Sequence, residues 1–457
     1  MRRSLTNFGQ YPYNRPMESN RNREVLKLAL PIIGGMVSQN LLNLADAWMV
    51  GSLGPSALAA TGLANFLNFM AVAAITGISP AVQAIAARRA GEGRIGETAV
   101  SLNGGLLLSL MIGIPLTVIF ILLAPAIFRA MNNDPAVVEQ GTEYLQWRLV
   151  AVAAIGMNFS FRGYWSAMKM TRIYMITLID MHILNVIFSY SLIHGLFGLP
   201  AMGVKGAGIG TTMAIMVGTA IYFWMASRHA KPNGFLERLP TGVEFRSLLK
   251  LGLPSAIQQL LFAGGFTVLF WIIGHIGTAE LAVSNVLVTI SLTAVLPGIG
   301  FGIAAATLCG QALGRGDPVD AKRWAWDVYR VSLWLFVPLA AIMLLFPSPV
   351  LSLFVHGDAT LIEIGCLPLQ MVGINILLDA LGLIMMQALL GVGASRLVMI
   401  VAVGLQWLVF LPVAYLLGPV YAMGLMSIWI AMGAYRLLQT VIFTRAWQRE
   451  GWAHLKV

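Results

Sequence analysis

LALPIIGG (28–35) and DAWMVGSLGPSALAATG (46–62) decide the fold, because both recur 223 residues later as LGLPSAIQ (251–258) and LFWIIGHIGTAELAVSN (269–285). Glycine usually marks a backbone constraint, and five glycines keep this spacing. The chain is therefore predicted to be two copies of one half, with the functional site where the halves face each other. The matched positions include Pro31 with Pro254, Trp48 with Trp271, and Gly51, Gly54, Gly77, Gly91 and Gly93 with Gly274, Gly277, Gly300, Gly314 and Gly316.

The composition predicts that both halves lie in a membrane. Hydrophobic residues make up 58% of the chain and charged residues 11%, whereas a soluble domain carries about 25% charged residues. A helix needs roughly 20 apolar residues to cross the hydrocarbon core, and continuous runs favour helices over an alternating barrel pattern. The fold class is therefore all-α integral membrane. Charge-free runs cover 98–128, 206–227, 251–279, 281–314, 331–357 and 397–435.

The net charge of +10 is a topology signal and does not indicate nucleic-acid binding. All but five of the 29 lysines and arginines fall in segments predicted to be cytoplasmic, which is the positive-inside bias. We expect a multi-pass protein of the cell (inner) membrane with both termini cytoplasmic, and no cleaved signal peptide in the first 25 residues. The five exceptions are Arg129 and Lys205 in outer loops and Arg148, Arg162 and Arg436 within spans.

Twelve transmembrane helices in two six-helix lobes are predicted, related by a parallel repeat whose axis lies along the membrane normal. The polar loop between the sixth and seventh spans contains two prolines and two glycines, so we place the boundary between the halves there. The predicted segments are a cytoplasmic N-terminal segment 1–25, an N-lobe 26–228 (spans 1–6), a cytoplasmic linker 229–248, a C-lobe 249–445 (spans 7–12) and a cytoplasmic tail 446–457.

Polar side chains inside the predicted spans are the candidate site residues, because ionisable groups are costly in hydrocarbon. Gln39, Asn43 and Asp46 are spaced four and three residues apart, which places them on one face of span 1. Asp46 then lies in the outer third of the bilayer, where a short carboxylate cannot reach far toward water. An interfacial aspartate is the alternative interpretation.

Span 5 carries a comparable stripe of His182, Asn185 and Ser189, which either forms part of the site or ties helices together. In the C-lobe, span 10 places Asn375 and Asp379 four residues apart. Asp379 is either a protonatable or cation-binding group or one partner of a buried pair. The other polar residues predicted to line a substrate cavity are Asn65, Asn68, Gln258 and Gln259.

Arg162 and Asp180 are predicted to form a structural ion pair, because they lie at similar depths on adjoining helices and pairing lowers the cost of both charges. Glu143 and Arg148 are expected to form a local pair or to line a vestibule. No metal-site spacing of His, Cys, Asp or Glu occurs, and no nucleophile–base constellation or nucleotide-binding loop appears. We therefore expect no enzyme activity and no cofactor other than a coupling cation.

The sequence resembles the multidrug and toxic compound extrusion (MATE) family, in its bacterial NorM-like form, over residues 26–445. The resemblance implies two six-helix lobes around a central cavity, alternating access, and export of amphipathic cations driven by H⁺ or Na⁺. The motifs that carry it are LALP…NLADAWMVGSLGPSALAA in span 1 and its loop, FRGYWSAMKMTR (161–172), GVKGAGIGTT (203–212) and LPGIGFGIAAATLCGQALGRGD (296–317).

By resemblance, Asp46 matches the family's cation or proton site, and Asp379 matches an aspartate of the C-lobe. Asn185 and Thr211 match an asparagine of span 5 and the threonine of a GAxxxT motif. Three positions depart from the family pattern: Ser189 replaces a second aspartate, Phe262–Ala263 replaces a glutamate, and Leu390 replaces an arginine. The first two departures remove carboxylates that would help to hold Na⁺, so H⁺ is favoured as the coupling ion at Asp46, Asn185, Ser189, Thr211 and Asp379.

We therefore predict a cation-coupled antiporter that exports amphipathic, cationic small molecules. The alternative is a flippase of the same superfamily for a lipid-linked precursor. Such a flippase would need several intramembrane arginines, and Arg148 and Arg162 are the two available. The expected partners are small-molecule substrates, the coupling cation and membrane lipids, with no nucleic acid, and the expected state is a monomer.

Overall fold

The computed structural model describes residues 18–355 and 359–455. Parts of the predicted N-terminal segment (1–17) and of the predicted tail (456–457) lie outside the described residues. Within those residues the chain is helical and contains no strand. Helix ends are set by caps and ion pairs as well as by apolar length: span 7 begins at Gly242, where Thr241 and Glu244 form a reciprocal capping box.

The twelve predicted spans are confirmed. Eleven helical segments of the described chain are long and apolar enough to cross a membrane, and span 4 is the twelfth, broken into two shorter helices at Ala151. A short helix, Pro347–Val355, joins spans 9 and 10. In order, the spans are Glu18–Gly51, Pro55–Thr76 with Ile78–Gly91, Ala99–Met131, Pro135–Val150 with Val152–Ala167, Thr171–His194, Gly203–His229, Gly242–Gly274, Thr278–Gly314, Pro318–Leu345, Ala359–Gly391, Ser395–Val420 and Gly424–Gln448.

Each half has its own hydrophobic core, so the two predicted lobes exist as packed bodies. One cluster is built from spans 1–6 and the other from spans 7–12. The beginnings of spans 1 and 7 are exchanged between them. Val25 and Leu28 belong to the C-lobe cluster, whereas their repeat counterparts Leu248 and Leu251 belong to the N-lobe cluster.

The halves meet around a pseudo-two-fold axis that passes between Gly91 and Gly314. A Cβ atom on either glycine would lie 2.9 Å from the Cα atom of the other, and a residue can touch its own repeat counterpart only near the axis. The remaining contacts are reciprocal: a Cβ on Gly77 would meet Ala256, and one on Gly300 would meet Ile33. The two contacts are repeat equivalents, because Gly300 lies 223 residues after Gly77 and Ala256 lies 223 residues after Ile33.

We use "basic end" for the end of the bundle that carries Gly91, Gly314 and both described termini; the other is the opposite end. Ion pairs join the lobes there. Arg21 of span 1 pairs with Asp320 and Asp327 of span 9, at 2.7 Å each. Its repeat counterpart Glu244, on span 7, pairs with Arg89 of span 2 at 2.7 Å. The polarity of the two clusters is reversed, but their placement follows the two-fold axis.

The opposite end is open between the lobes. Trp48 and its counterpart Trp271 are 71% and 56% exposed there. Each stacks on a tyrosine of its own lobe, Trp48 on Tyr190 and Trp271 on Tyr415. Span 2 consists of an outer half, Pro55–Thr76, and an inner half, Ile78–Gly91. The inner half packs against span 8, whereas the outer half diverges from span 8. The lobes are therefore closed at the basic end and separate at the opposite end.

Gly91→Ala and Gly314→Ala should each destabilise the protein by about 1–3 kcal/mol, because the added methyl group would overlap backbone atoms of the other lobe. Thermal unfolding of the purified protein measures the effect. Gly62→Ala in the helical outer half of span 2 is the control, since a Cβ there meets nothing within 4 Å. Equal unfolding temperatures for the three variants would show that the glycine contact is unimportant.

Candidate functional site

A cavity of about 820 Å³ lies inside the N-lobe, and every residue that lines it falls between Met36 and Tyr222. Its wall is mostly apolar and aromatic, with a few polar groups, as in small-molecule binding sites. Eight of the candidate polar residues come together here. They are Gln39, Asn43 and Asp46 from span 1, Asn65 and Asn68 from span 2, His182 and Asn185 from span 5 and Thr211 from span 6.

Asp46 is half-buried in the cavity wall, and Arg148 is the positive charge that acts on it. No ion pair within 4.0 Å forms between them in the described structure. Asp46 also has no described hydrogen bond to another side chain, so its carboxylate is open to the cavity. Of the described residues that line the cavity, Asp46 is the one with a carboxylate.

Ser189 lies behind the cavity wall. Its hydroxyl donates to Asn185 Oδ1 at 3.0 Å, and this fixes the Asn185 amide in the wall. The Thr211 hydroxyl donates to the Ala207 carbonyl oxygen at 2.9 Å, so Thr211 can offer only oxygen lone pairs to a ligand. These groups can accept hydrogen bonds or coordinate a cation, but they add no charge.

A chain of hydrogen bonds crosses from span 5 to span 1. His182 contacts Ser38 through Nδ1 at 2.9 Å and Gln39 through Nε2 at 3.1 Å. Gln39 donates in turn to Asn43 Oδ1 at 3.2 Å. Amide groups pass protons poorly, so this hydrogen-bond chain is not a proton path. It holds the polar face of span 1 toward the cavity beside Asp46.

The predicted ion pair between Arg162 and Asp180 does not form, and of the two alternatives given for Arg148, a local pair with Glu143 or a lining position, the lining position is the one found. Arg162 Nε donates to Ser79 Oγ at 3.1 Å, and its guanidinium lies over the Phe159 ring; within the described chain Asp180 forms no ion pair within 4.0 Å. Similar depth did not fix the directions in which the two side chains point. Glu143 pairs with Lys205 at 3.3 Å, and Arg148 faces the cavity instead.

Sequence reasoning missed the tyrosines of this site and the contacts of Arg148 with them. Arg148 donates to the Tyr144 hydroxyl at 3.4 Å, and Tyr144 donates to Asn65 at 3.2 Å. Arginines within spans were the available sign, because an unpaired intramembrane arginine needs a cavity or a partner. The lining residues that were not predicted are Tyr144, Asn158, Tyr174 and Tyr222 among others, and Arg162 was predicted only as a partner of Asp180.

The predicted residues of the C-lobe are in a different environment. Asp379 pairs with Arg436 of span 12 at 3.8 Å, so the buried-pair alternative is the one that forms. The cavity beside Arg436 holds about 10 Å³, room for about one water molecule. None of Asp379, Gln258, Gln259 and Asn375 lines the N-lobe cavity.

Span 11 closes the C-lobe by a local change of helix type. Residues Leu405–Phe410 form a π-helical turn, which directs Gln406 and Trp407 toward span 7. Their side chains donate to the carbonyl oxygens of Phe262 and Leu261, at 3.2 and 3.0 Å. Gln406 also lines the small cavity beside Arg436.

Comparison with known proteins agrees with the duplicated plan. A family model described as MatE matches residues 31–191 and again 254–416, so the two matches begin at the spacing of the sequence repeat and together cover more than half of the chain. The chain belongs to the MatE family. Members of this family are membrane transporters. Among the described residues there is no group of three or more His, Cys, Asp or Glu side chains that could hold a metal ion.

Curated relatives and solved structures extend the MatE assignment over nearly the whole chain. A probable multidrug resistance protein NorM of Thermotoga maritima is 27% identical over 417 residues, 90% of this chain and 88% of that protein. Multidrug resistance protein NorM of Burkholderia vietnamiensis is 26% identical over 449 residues, 95% of this chain and 94% of that protein. The solved outward-facing conformation of a multidrug resistance MATE family transporter of the MOP superfamily has a TM-score of 0.87 at 22% identity, over 95% of this chain and 97% of that one.

Asp379→Asn should destabilise the protein by up to about 3 kcal/mol, because it leaves the Arg436 guanidinium without its partner charge. Thermal unfolding of purified protein is the measurement. The double variant Asp379→Asn/Arg436→Gln removes both charges and should recover most of the loss. If the single and double variants unfold at the same temperature, the pair has no structural role.

Proposed function

We propose that this chain is a cation-coupled antiporter that exports amphipathic, cationic small molecules, with H⁺ favoured over Na⁺ as the coupling ion. The observation that carries the proposal is Asp46, the one carboxylate among the described residues lining an 820 Å³ cavity. A substrate cation and the coupling ion would compete for this carboxylate. Competition for one charged group is sufficient to couple two opposite fluxes.

The surroundings of Asp46 support H⁺ as the coupling ion. Na⁺ prefers several oxygen ligands after it has lost water, and Asn185 and Thr211 supply neutral oxygens only. Arg148 adds a positive charge to the same wall. A proton needs a single carboxylate oxygen, and an apolar wall disfavours the charged form of that carboxylate.

Transport by this arrangement requires the lobes to change their relative position. We place the basic end in the cytoplasm of a cell with an inner membrane, following the distribution of Lys and Arg. The described conformation then opens outward, and cytoplasmic access requires the contacts around Gly91 and Gly314 and the ion pairs of Arg21 and Glu244 to separate. A protonated Asp46 would favour release outward, because it no longer attracts a cation.

A lipid-linked precursor flippase is the second candidate. The observation in its favour is that Arg148 and Arg162 both face the N-lobe cavity, where guanidinium groups can bind phosphate. Exchange of a fluorescent lipid-linked diphosphate between the leaflets of proteoliposomes, measured by its accessibility to a membrane-impermeant quencher, tests this function directly. Leaflet exchange in the absence of dye export would favour the flippase.

Asp46→Asn should abolish dye export driven by a pH gradient and weaken the binding of cationic dye, because the amide mimics the protonated acid permanently and neither attracts a cation nor exchanges a proton. Export is measured in vesicles under separately imposed H⁺ and Na⁺ gradients, and wild-type export should follow H⁺. Asp180→Asn is the matched control, since Asp180 is a half-buried aspartate of span 5 that does not line the cavity. Persistent export by Asp46→Asn, or export that follows Na⁺ alone, contradicts the proposal.

Cross-linking the lobes at the opposite end should also stop export, because each lobe has to move relative to the other. Trp48→Cys/Trp271→Cys places one thiol on each lobe at exposed, repeat-related positions. A flexible bis-maleimide should arrest transport in this double variant. The control Trp48→Cys/Tyr190→Cys has both thiols within the N-lobe, and it should keep transporting after the same treatment. If both cross-linked variants continue to transport, the lobes do not rock relative to each other during transport.

A further inference from the structure

The charges of the N-lobe cavity do not balance. Its described lining includes two guanidinium groups, Arg148 and Arg162, one carboxylate, Asp46, and the imidazole of His182. Arg148 is the cation that acts on Asp46, so these two charges oppose each other. Within the described chain no carboxylate lies within 4.0 Å of Arg162. One positive charge of the cavity is therefore left without an opposing charge of the protein.

Neutral neighbours hold the Arg162 guanidinium in place. Its Nε donates to Ser79 at 3.1 Å, and the Phe159 ring lies 4.7 Å from the guanidinium carbon. The hydroxyl of Tyr174 is a further neutral neighbour. The Ser79 bond uses one of five guanidinium N–H groups, so the group is positioned but its charge is not neutralised. Such an arrangement suits an anionic ligand that enters from the cavity.

Arg162 lies deeper than Asp46. It contacts the region of Tyr174, and Tyr174 packs beside Gly35, where a Cβ would lie 3.3 Å from the tyrosine ring. Gly35 and Asp46 are eleven residues apart on span 1, which corresponds to about 16 Å along the helix. The cavity therefore has two levels, with Asp46 and Arg148 toward the opposite end and Arg162 toward the basic end.

The placement of the two arginines favours a single anionic group over a diphosphate. Arg148 and Arg162 are fourteen residues apart on the broken span 4, which corresponds to a rise of about 20 Å between their backbone positions. Each guanidinium is held by a different neighbour, Arg148 by Tyr144 and Arg162 by Ser79. Arg162 alone offers a planar fork of N–H groups, whose geometry matches one carboxylate.

We propose that Arg162 binds a carboxylate of amphipathic substrates at the deep level of the N-lobe cavity. A zwitterionic substrate would then place its carboxylate at Arg162 and its cationic group toward Asp46. The apolar part of the molecule would pack on Phe159 and Tyr222, which line the same level. This inference rests on the proposed export function, since it assigns substrate groups to the same cavity.

Three probes that share the pyrene ring system and differ in the charge of their end group test the assignment. They are 1-pyrenebutyrate, its methyl ester, and 1-pyrenebutyl trimethylammonium. Binding to protein in phosphatidylcholine nanodiscs is followed by energy transfer from tryptophan to pyrene, and the signal from empty nanodiscs is subtracted. Wild type should bind the carboxylate at least about tenfold more tightly than the ester, as expected for a hydrogen bond to a charged group. Equal affinities for the acid and its ester would overturn the proposal without any variant.

Arg162→Gln should lower the affinity for pyrenebutyrate about tenfold or more and change that for the ester less than twofold. The affinity of Arg162→Lys for pyrenebutyrate should lie between those of wild type and Arg162→Gln, because lysine keeps the positive charge but lacks the planar fork of N–H groups. Arg172→Gln, at an exposed position of span 5 at the basic end, is the matched control and should bind like wild type. Unchanged carboxylate binding by a folded Arg162→Gln protein would refute the role of Arg162.

The ammonium probe separates this inference from the proposed function. If every variant binds the ammonium compound and none distinguishes acid from ester, the carboxylate subsite is wrong and cation export stands. If the acid depends on Arg162 while export is insensitive to Asp46→Asn, the subsite stands and the coupling proposal fails.

Discussion

Close backbone contact between the inner half of span 2 and span 8 is the constraint on which the rest of this structure depends. Gly91 and Gly314 touch across the pseudo-two-fold axis, and no side chain larger than hydrogen fits at either position without a shift of backbone. This contact holds the halves in one relative orientation at the basic end. The ion pairs of Arg21 and Glu244 lie around it, and separation of the lobes at the opposite end leaves the N-lobe cavity accessible.

Duplication of the sequence has not produced duplicate sites. Both lobes keep the glycine and tryptophan positions of the repeat, yet the 820 Å³ cavity is lined entirely by the N-lobe. In the C-lobe, Arg436 balances Asp379, and the π-helical turn of span 11 bonds Gln406 and Trp407 to the backbone of span 7. Symmetry is therefore retained where the lobes must meet, and it is lost where a ligand would bind.

The sequence alone predicted features that depend on period and composition. The twelve spans, the repeat and the common face of Gln39, Asn43 and Asp46 follow from runs and spacings within one helix. The partners of Arg162, Asp379 and Glu143 lie on other helices, and hydropathy gives depth without giving the direction in which a side chain points. The beginnings of spans 1 and 7 were also missed. The helices include residues from Glu18 and Gly242, ahead of the predicted lobe starts at 26 and 249, because polar caps and inter-lobe ion pairs extend them beyond their apolar runs.

The exchanged beginnings of spans 1 and 7 have a consequence for biosynthesis. Val25 and Leu28 are made before spans 7–12, but the cluster that buries them is built from those spans. Arg21 likewise waits for Asp320 and Asp327 of span 9. The N-lobe can acquire its own core as soon as span 6 is inserted, since domains generally fold as units in the order of synthesis. Span 1, however, cannot reach its final packing until the spans of the C-lobe have left the ribosome, so its beginning is among the last parts of the bundle to be completed.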